Sequence, residues 1–295
     1  SHRRHIWLRC RPWRRPVADE FGPWSSSPRG WLLVSIHTEL TRLVAGYIRA
    51  GLRRSSVVRV GPFSVLYDPA TDNVWRNYAV PDDGATPDAE DVAALVAWFR
   101  ARGRTPRLEY VPAAAPAVEG VLREAGFVVE GRPPLMACRP GEMVKPPAVD
   151  GVTVAVVAAD GDLHDVADAQ HAAYGEPEPP GPADVARLRA TVDCGGVVVL
   201  ARDTDAGEPI GGGLCTAPVD GISELAAVGV ITSHRRRGIA TAVTALLTET
   251  AHARGARLVW LEPAGEREAA VYARVGFRPS GHKLWISLPE GPPRG

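Results

Sequence analysis

The sequence predicts an α/β protein in which a mixed sheet with flanking helices is laid down twice along the chain. Three observations carry this reading. Apolar residues follow the strand period and the helix period in turn, with hairpin-connected strands followed by strand-helix-strand. The stretch RLEYVPAAAPAVEGVLREAGF (107–127) superimposes without gaps on RLVWLEPAGEREAAVYARVGF (257–277), an offset of 150 residues at which Arg107, Leu108, Ala114, Val121, Gly126 and Phe127 meet identical residues. A Pro-rich connector, RPGEMVKPPAVDG (139–151), separates the copies. The expected organisation is therefore an Arg/Trp-rich flexible leader at 1–30, a first domain at 31–140, a linker at 141–150 and a second domain at 151–295.

In the first copy, Leu40, Leu43, Val44 and Tyr47 recur at helical spacing and predict a helix over 36–52. SVVRVGPFSVLYDP and NVWRNYAVP read as strands broken by turn residues. DAEDVAALVAWFRARG is an amphipathic helix on Val92, Leu95, Val96 and Phe99, followed by strand PRLEYVP and helix AVEGVLREAGF. The second copy reads as strand VTVAVVA, helix DLHDVADAQHAAYG, a Pro/Gly loop and helix PADVARLRATV. Strands GVVVLARD, PIGGGLCTAP and SELAAVGVI follow, then a long helix after Arg237, strand RLVWLEP, helix EREAAVYARV and strand HKLWISL.

Composition narrows the function classes. With 45% apolar and 23% charged residues, the 295-residue chain can bury substantial cores. Its 34 basic and 34 acidic residues cancel, so no global field draws in nucleic acid or an anionic membrane, and neither is an expected partner. The leader interleaves Arg with Trp, but no periodicity follows those charges. No apolar run reaches the roughly 18 to 20 residues that span a bilayer. Cys10, Cys138, Cys194 and Cys215 form neither a C-x-x-C pair nor a disulfide framework, which fits reduced thiols in a cytoplasm, and no metal site is expected.

The chemistry concentrates at GVITSHRRRGIATAVTALL (229–247). A helix N-terminus leaves backbone N–H groups unpaired and carries about half a positive charge. Gly238 lets that backbone approach a ligand closely, and Arg235, Arg236 and Arg237 add donors suited to a diphosphate. Thr232 and Ser233 are available to cap the turn. Gly229 interrupts the preceding strand, where a bulge would splay it and free the Val228 and Val230 backbone for an extended amide-bearing ligand. A P-loop nucleotide binder would need a following Lys-Ser/Thr, which is not present.

These residues resemble the GCN5-related N-acetyltransferases. VGVITSHRRRGIA is similar to that family's Q/R-x-x-G-x-G/A acetyl-CoA signature, with Ala240 in the place of its second glycine. AAVYARVGFRP is similar to the later helix that carries a tyrosine shortly before Gly-Phe. The resemblance is clear over about 150–290 and fainter, in architecture, over 31–140. It implies two tandem domains of the family's fold, the first degenerate, and transfer of an acetyl group from acetyl-CoA to a primary amine by direct attack in a ternary complex. It further implies that the Val228 and Val230 backbone, around Gly229, pairs with pantetheine and that Arg235, Arg236, Arg237, Gly238, Ile239, Ala240 and Thr241 hold the pyrophosphate. Tyr272 would protonate the departing thiolate, and Glu224, eleven residues before Arg235, would be the general base if no bulge turns it away. Glu262 is a rival base, and His171, Tyr174, Glu176 and Glu178 fall where the acceptor pocket is framed. Many members place Asn several residues before the tyrosine, and here the nearest position is Gly265.

Cys215 sits in an apolar strand and reads as a buried thiol rather than a nucleophile. The first copy offers PDDGATPD where the second has its arginines, and Leu122 where the second has Tyr272, so one active centre per chain is expected. The acceptor is expected to be a small-molecule or peptide amine, and the chain a monomer with pseudo-dimeric domains or a homodimer. A non-catalytic acyl-CoA sensor or scaffold is the alternative function.

Overall fold

The computed structural model describes residues 41–48, 57–69 and 71–289. The leader at 1–30 lies outside them, as do both ends of the helix expected over 36–52, of which 41–48 is helical and is named α1. Among the described residues no helix is long and apolar enough to cross a membrane.

The first copy follows the expected order with two differences. Strands β1 (Val57–Val60) and β2 (Phe63–Leu66) form a hairpin that runs on antiparallel to β3 (Tyr78–Pro81). The residues before β3 form a short 3-10 turn, Val74–Arg76, instead of strand, because the Asn73 side chain accepts the Trp75 amide and ends the extended run. Helix α2 (Ala89–Arg100) buries Val92, Leu95 and Phe99, then comes β4 (Arg107–Tyr110), parallel to β3, and α3 (Val118–Glu124). Beyond the Gly-Phe turn the chain makes two further strands that patterning did not show, β5 (Val128–Gly131) and β6 (Pro134–Cys138).

The second copy contains β7 (Val152–Val156), α4 (Asp160–Tyr174), α5 (Pro182–Asp193), β8 (Val197–Asp203), β9 (Pro209–Cys215) and β10 (Ile222–Val230). It continues with α6 (Ile239–Ala253), β11 (Leu258–Leu261), α7 (Glu266–Ala273), β12 (Arg278–His282) and β13 (Leu284–Ser287). Helix α6 packs with Leu225, Val230 and Val259 in one core, while α4 and α5 pack with Val198, Leu200 and Leu214 in another. The repeat is a structural one. Phe127 N donates to Leu122 O at 3.0 Å and Phe277 N to Tyr272 O at 3.2 Å, with Gly126 (φ 88°) and Gly276 (φ 106°) left-handed in both turns.

The two sheets exchange their last strands. One runs β1-β2-β3-β4-β13-β5 and the other β12-β6-β11-β10-β9-β8-β7. At the repeat offset β13 corresponds to β6, so each half of the sequence supplies the strand that completes the other's sheet. Pro133 and Pro134 at the head of β6 have fixed φ and no N–H for a hairpin, which suits a chain that runs on instead of turning back. The compact units consequently divide within β6 and β12, one spanning Met136–Pro279 and the other the described residues up to Leu135 together with those from Ser280 on. The stretch expected as a linker at 141–150 is docked on the first of these. Val144 N donates to Val275 O at 2.9 Å, and Met143 and Val149 pack against its core.

Candidate active site

Strand β10 pairs in parallel with β11 from Ile222↔Leu258 to Glu224↔Trp260, then continues to Val230 in register with antiparallel β9. The register with β9 slips by one residue between Ala226 and Gly229. The bulge expected at Gly229 therefore sits just before it, at Ala227, whose φ of 55° is left-handed. The bulge carbonyl of Ala227 accepts Nε2 of Gln170, a buried residue of α4, at 2.9 Å. Gly229 has a different reason to lack a side chain: a Cβ there would lie 2.9 Å from the Cβ of Ala173. Because the extra residue falls between them, Glu224 does not share a face with Val228. Leu225 and Val228 pack with the α6 core, which places Glu224 on the opposite face, the one bearing α4 and α5.

After β10 the chain makes a 3-10 turn over Thr232–His234. Arg236 is left-handed (φ 64°), and Gly238, also left-handed (φ 89°), is the N-cap of α6. No side chain of the described residues caps that helix, so Thr232 and Ser233 do not take the capping role the sequence offers them. Ser233 Oγ instead contacts His234 Nδ1 at 2.9 Å. Ile239 and Thr241 are buried and anchor the first turn, leaving its backbone N–H groups as the polar face. The three arginines differ. All three are exposed, but Arg235 donates Nε to Val230 O at 3.1 Å and Nη2 to Ala173 O at 2.7 Å, Arg237 donates to Asp150 O at 3.2 Å, and Arg236 lies in the turn between them.

Tyr272 lies on α7, packed against the core that holds α6, with its ring edge-on to Phe277 at 6.1 Å between centroids. Burial, and then the neighbouring Glu268 carboxylate, push its phenol up to about 12. Glu224 stands at the last paired position before β10 and β11 part, its backbone held by Thr216 in both directions at 2.9 Å. Glu262 lies one residue past the end of β11. Cys215 is fully buried and its thiol is raised by burial, as expected of a packing residue. His171 joins α4 to the following loop, Nδ1 lying 2.9 Å from Glu178 O and Nε2 3.6 Å from the Asp184 carboxylate; Glu176 and Glu178 are exposed. Gly265 is the N-cap of α7.

A protein-family model described as the acetyltransferase (GNAT) family matches residues 163–277. No curated protein matches the chain. Among solved structures, a GCN5-related N-acetyltransferase from Kribbella flavida is 32% identical, with a TM-score of 0.68 over 85% of this chain and 96% of that one. The chain is a GCN5-related N-acetyltransferase family member. A tandem GNAT protein from the clavulanic acid biosynthesis pathway shares the fold at 16% identity, with a TM-score of 0.58 over 88% of this chain and 96% of that one.

The family's fold thus occurs here twice, and the first copy's site differs in kind. Its β3–α2 loop holds Asp82, which takes both Arg59 donors at 2.7 and 2.6 Å, and Gly84, left-handed at φ 65°. Helix α2 is closed by its own residues: Asp88 accepts from Glu90 N and Asp91 N at 2.9 Å, and the Asp91 carboxylate reaches back to Asp88 N. Leu122, at the position of Tyr272, is a fully buried core residue. A small apolar pocket is lined by Val80 and Pro81 of β3, Tyr110 of β4, Val111, and Ala45 and Ile48 of α1.

Sequence reasoning missed Gln170 and the position of the bulge. Gln170 is a polar residue in the buried stripe of α4 with Leu163, Val166 and Ala167, which was a usable signal. Ala227 carried none, since alanine does not advertise a left-handed backbone.

Proposed function

We propose that the protein transfers an acetyl group from acetyl-CoA to a primary amine of a small molecule or peptide, by direct attack in a ternary complex, at one active centre in the second copy. One observation carries the reading. The α6 N-terminus, which no side chain caps, carries left-handed Arg236 and Gly238 and the three arginines, and it follows the stretch of β10 that has left β11. The fit to a CoA diphosphate is chemical: unpaired amides and guanidinium groups offer donors to an anion, while Gly238 keeps the approach open. The splayed edge of β10 beyond Glu224 suits the pantetheine amides.

Acetyl-CoA supplies an activated thioester when bound, and the residues of this chain do the rest. Glu224, directly or through water, takes the proton an alkylammonium must lose before its nitrogen attacks. As the new C–N bond forms and the C–S bond breaks, the nitrogen loses its second proton to solvent, and the Tyr272 hydroxyl gives its proton to the departing sulfur and recovers one from solvent. Its raised pKa keeps that proton in place across the physiological range.

The test is a thiol-release assay with acetyl-CoA and a panel of amines. Release that depends on both an amine and Tyr272 supports the reading. Tight CoA binding without turnover of any amine would replace it with a sensor or scaffold.

A further inference from the structure

Helix α4 is tied to the bulged end of β10 at three points. Gln170, 2% exposed, donates Nε2 to the Ala227 carbonyl at 2.9 Å. Arg235 spans two carbonyls with one guanidinium, Nε to Val230 O at 3.1 Å and Nη2 to Ala173 O at 2.7 Å. Between these, Gly229 lets Ala173 seat against the strand, since a Cβ there would stand 2.9 Å from the Ala173 Cβ. The Ala173 carbonyl belongs to the last turn of α4, where carbonyls have no intrahelical partner and a cation is favoured. Ala227 is a non-glycine residue in the left-handed region, a conformation that persists where its surroundings hold it.

We propose that Arg235, the first arginine of the R-x-x-G-x-A run, is a positioning residue and not a phosphate ligand: with Gln170 it staples α4 across Ala227–Val230 and holds that segment's backbone in the shape an extended amide ligand pairs with. The inference rests on the proposed coenzyme site for its consequence, and on the contacts above for its geometry. It divides the labour within the arginine run. Arg236 and the α6 amides face the diphosphate, while Arg235 makes the pantetheine edge. A lysine at 235 offers one compact ammonium and cannot span both carbonyls in the same way. The strut also links the strand that carries the donor to the helix that frames the acceptor.

Two measurements on the full-length chain test this, using Arg235→Leu, Arg235→Lys, Gln170→Leu and Arg236→Ala. The first is hydrogen exchange without ligand. Arg235→Leu and Gln170→Leu should speed exchange of the 227–230 amides roughly tenfold while leaving the interior of α6 protected, and Arg235→Lys should give a smaller increase at the same amides. The second is titration with CoA and with pantetheine, which lacks the diphosphate. Both leucine variants should weaken the two ligands by the same factor, roughly tenfold, whereas Arg236→Ala should weaken CoA alone. Loss of CoA with pantetheine untouched in Arg235→Leu would make Arg235 a phosphate ligand and overturn the proposal. Unchanged exchange at 227–230, or a uniform rise across the second copy, would overturn it as well, as would an Arg235→Lys chain indistinguishable from the parent. If the parent chain binds neither ligand, the coenzyme reading fails, and the exchange measurement still decides whether the strut exists.

Discussion

Helices α2 and α6 hold the same place in the two copies, each leaving a strand that runs parallel to the next one, yet their first turns are opposites. At the repeat offset the N-cap of α2, Asp88, corresponds to the N-cap of α6, Gly238. Asp88 satisfies two amides of its own helix, and Glu90 and Asp91 add negative charge to the first turn. Gly238 satisfies none by side chain and is preceded by a row of arginines. Both helices present the positive end of a dipole. What differs is the cap: in α2 the anion is built into the chain, and in α6 no side chain takes that place. The cap is one difference between the two first turns, and the arginine row with left-handed Arg236 and Gly238 is the other.

The comparison can be broken by writing the first copy's residues into the second. Tyr272→Phe, the conservative form of the change toward Leu122, is expected to cost the largest factor, roughly 100-fold in kcat, with CoA affinity unchanged in a parallel titration. An unaltered kcat would remove Tyr272 from the chemistry. Because burial holds its phenol up to about 12, the parent enzyme's rate should show no alkaline loss from Tyr272 below about pH 11. Glu224→Gln should lose up to roughly 100-fold near pH 6 and progressively less toward pH 9, because the amine increasingly deprotonates in solution as pH rises. A loss of equal size at every pH would assign Glu224 to acceptor binding instead.

Gly238→Asp transplants the α2 cap. It adds a side chain at φ 89° and a carboxylate where the diphosphate is to sit, and CoA affinity should fall roughly tenfold or more. The reverse experiment has the smallest effect. Asp88→Ala removes the α2 cap, costs about 1 kcal/mol of stability and leaves the number of CoA molecules bound per chain unchanged. A second binding event appearing in that variant would show that the cap alone had been masking a live site.

Much of this was legible beforehand because the repeat is local and its signals are backbone demands. Gly126 and Gly276 must be left-handed to end their helices, and Phe127 and Phe277 must bury, so both leave marks in the sequence. Strands β5 and β12 were not legible. They are short, carry glycine or proline, and are mostly exposed or half-buried, which erases alternation. The strand exchange is a non-local pairing choice between β6 and β13, which occupy equivalent positions, and no single-segment pattern distinguishes them. Lys283, whose ammonium meets Glu109 in the sheet that β13 completes, is a specifying contact that looks like an ordinary surface charge in sequence. At the site, the arginine run was visible as a cluster. Its division of roles was not, because Arg235 reaches a carbonyl on α4 that lies far away in the chain.

Calorimetric titration of the full-length chain with coenzyme A tests the central claim most directly. The account predicts one molecule bound per chain, with affinity lost in Gly238→Asp and kept in Asp88→Ala. No heat from the parent chain, a stoichiometry of two, or binding that survives Gly238→Asp at full strength would contradict it.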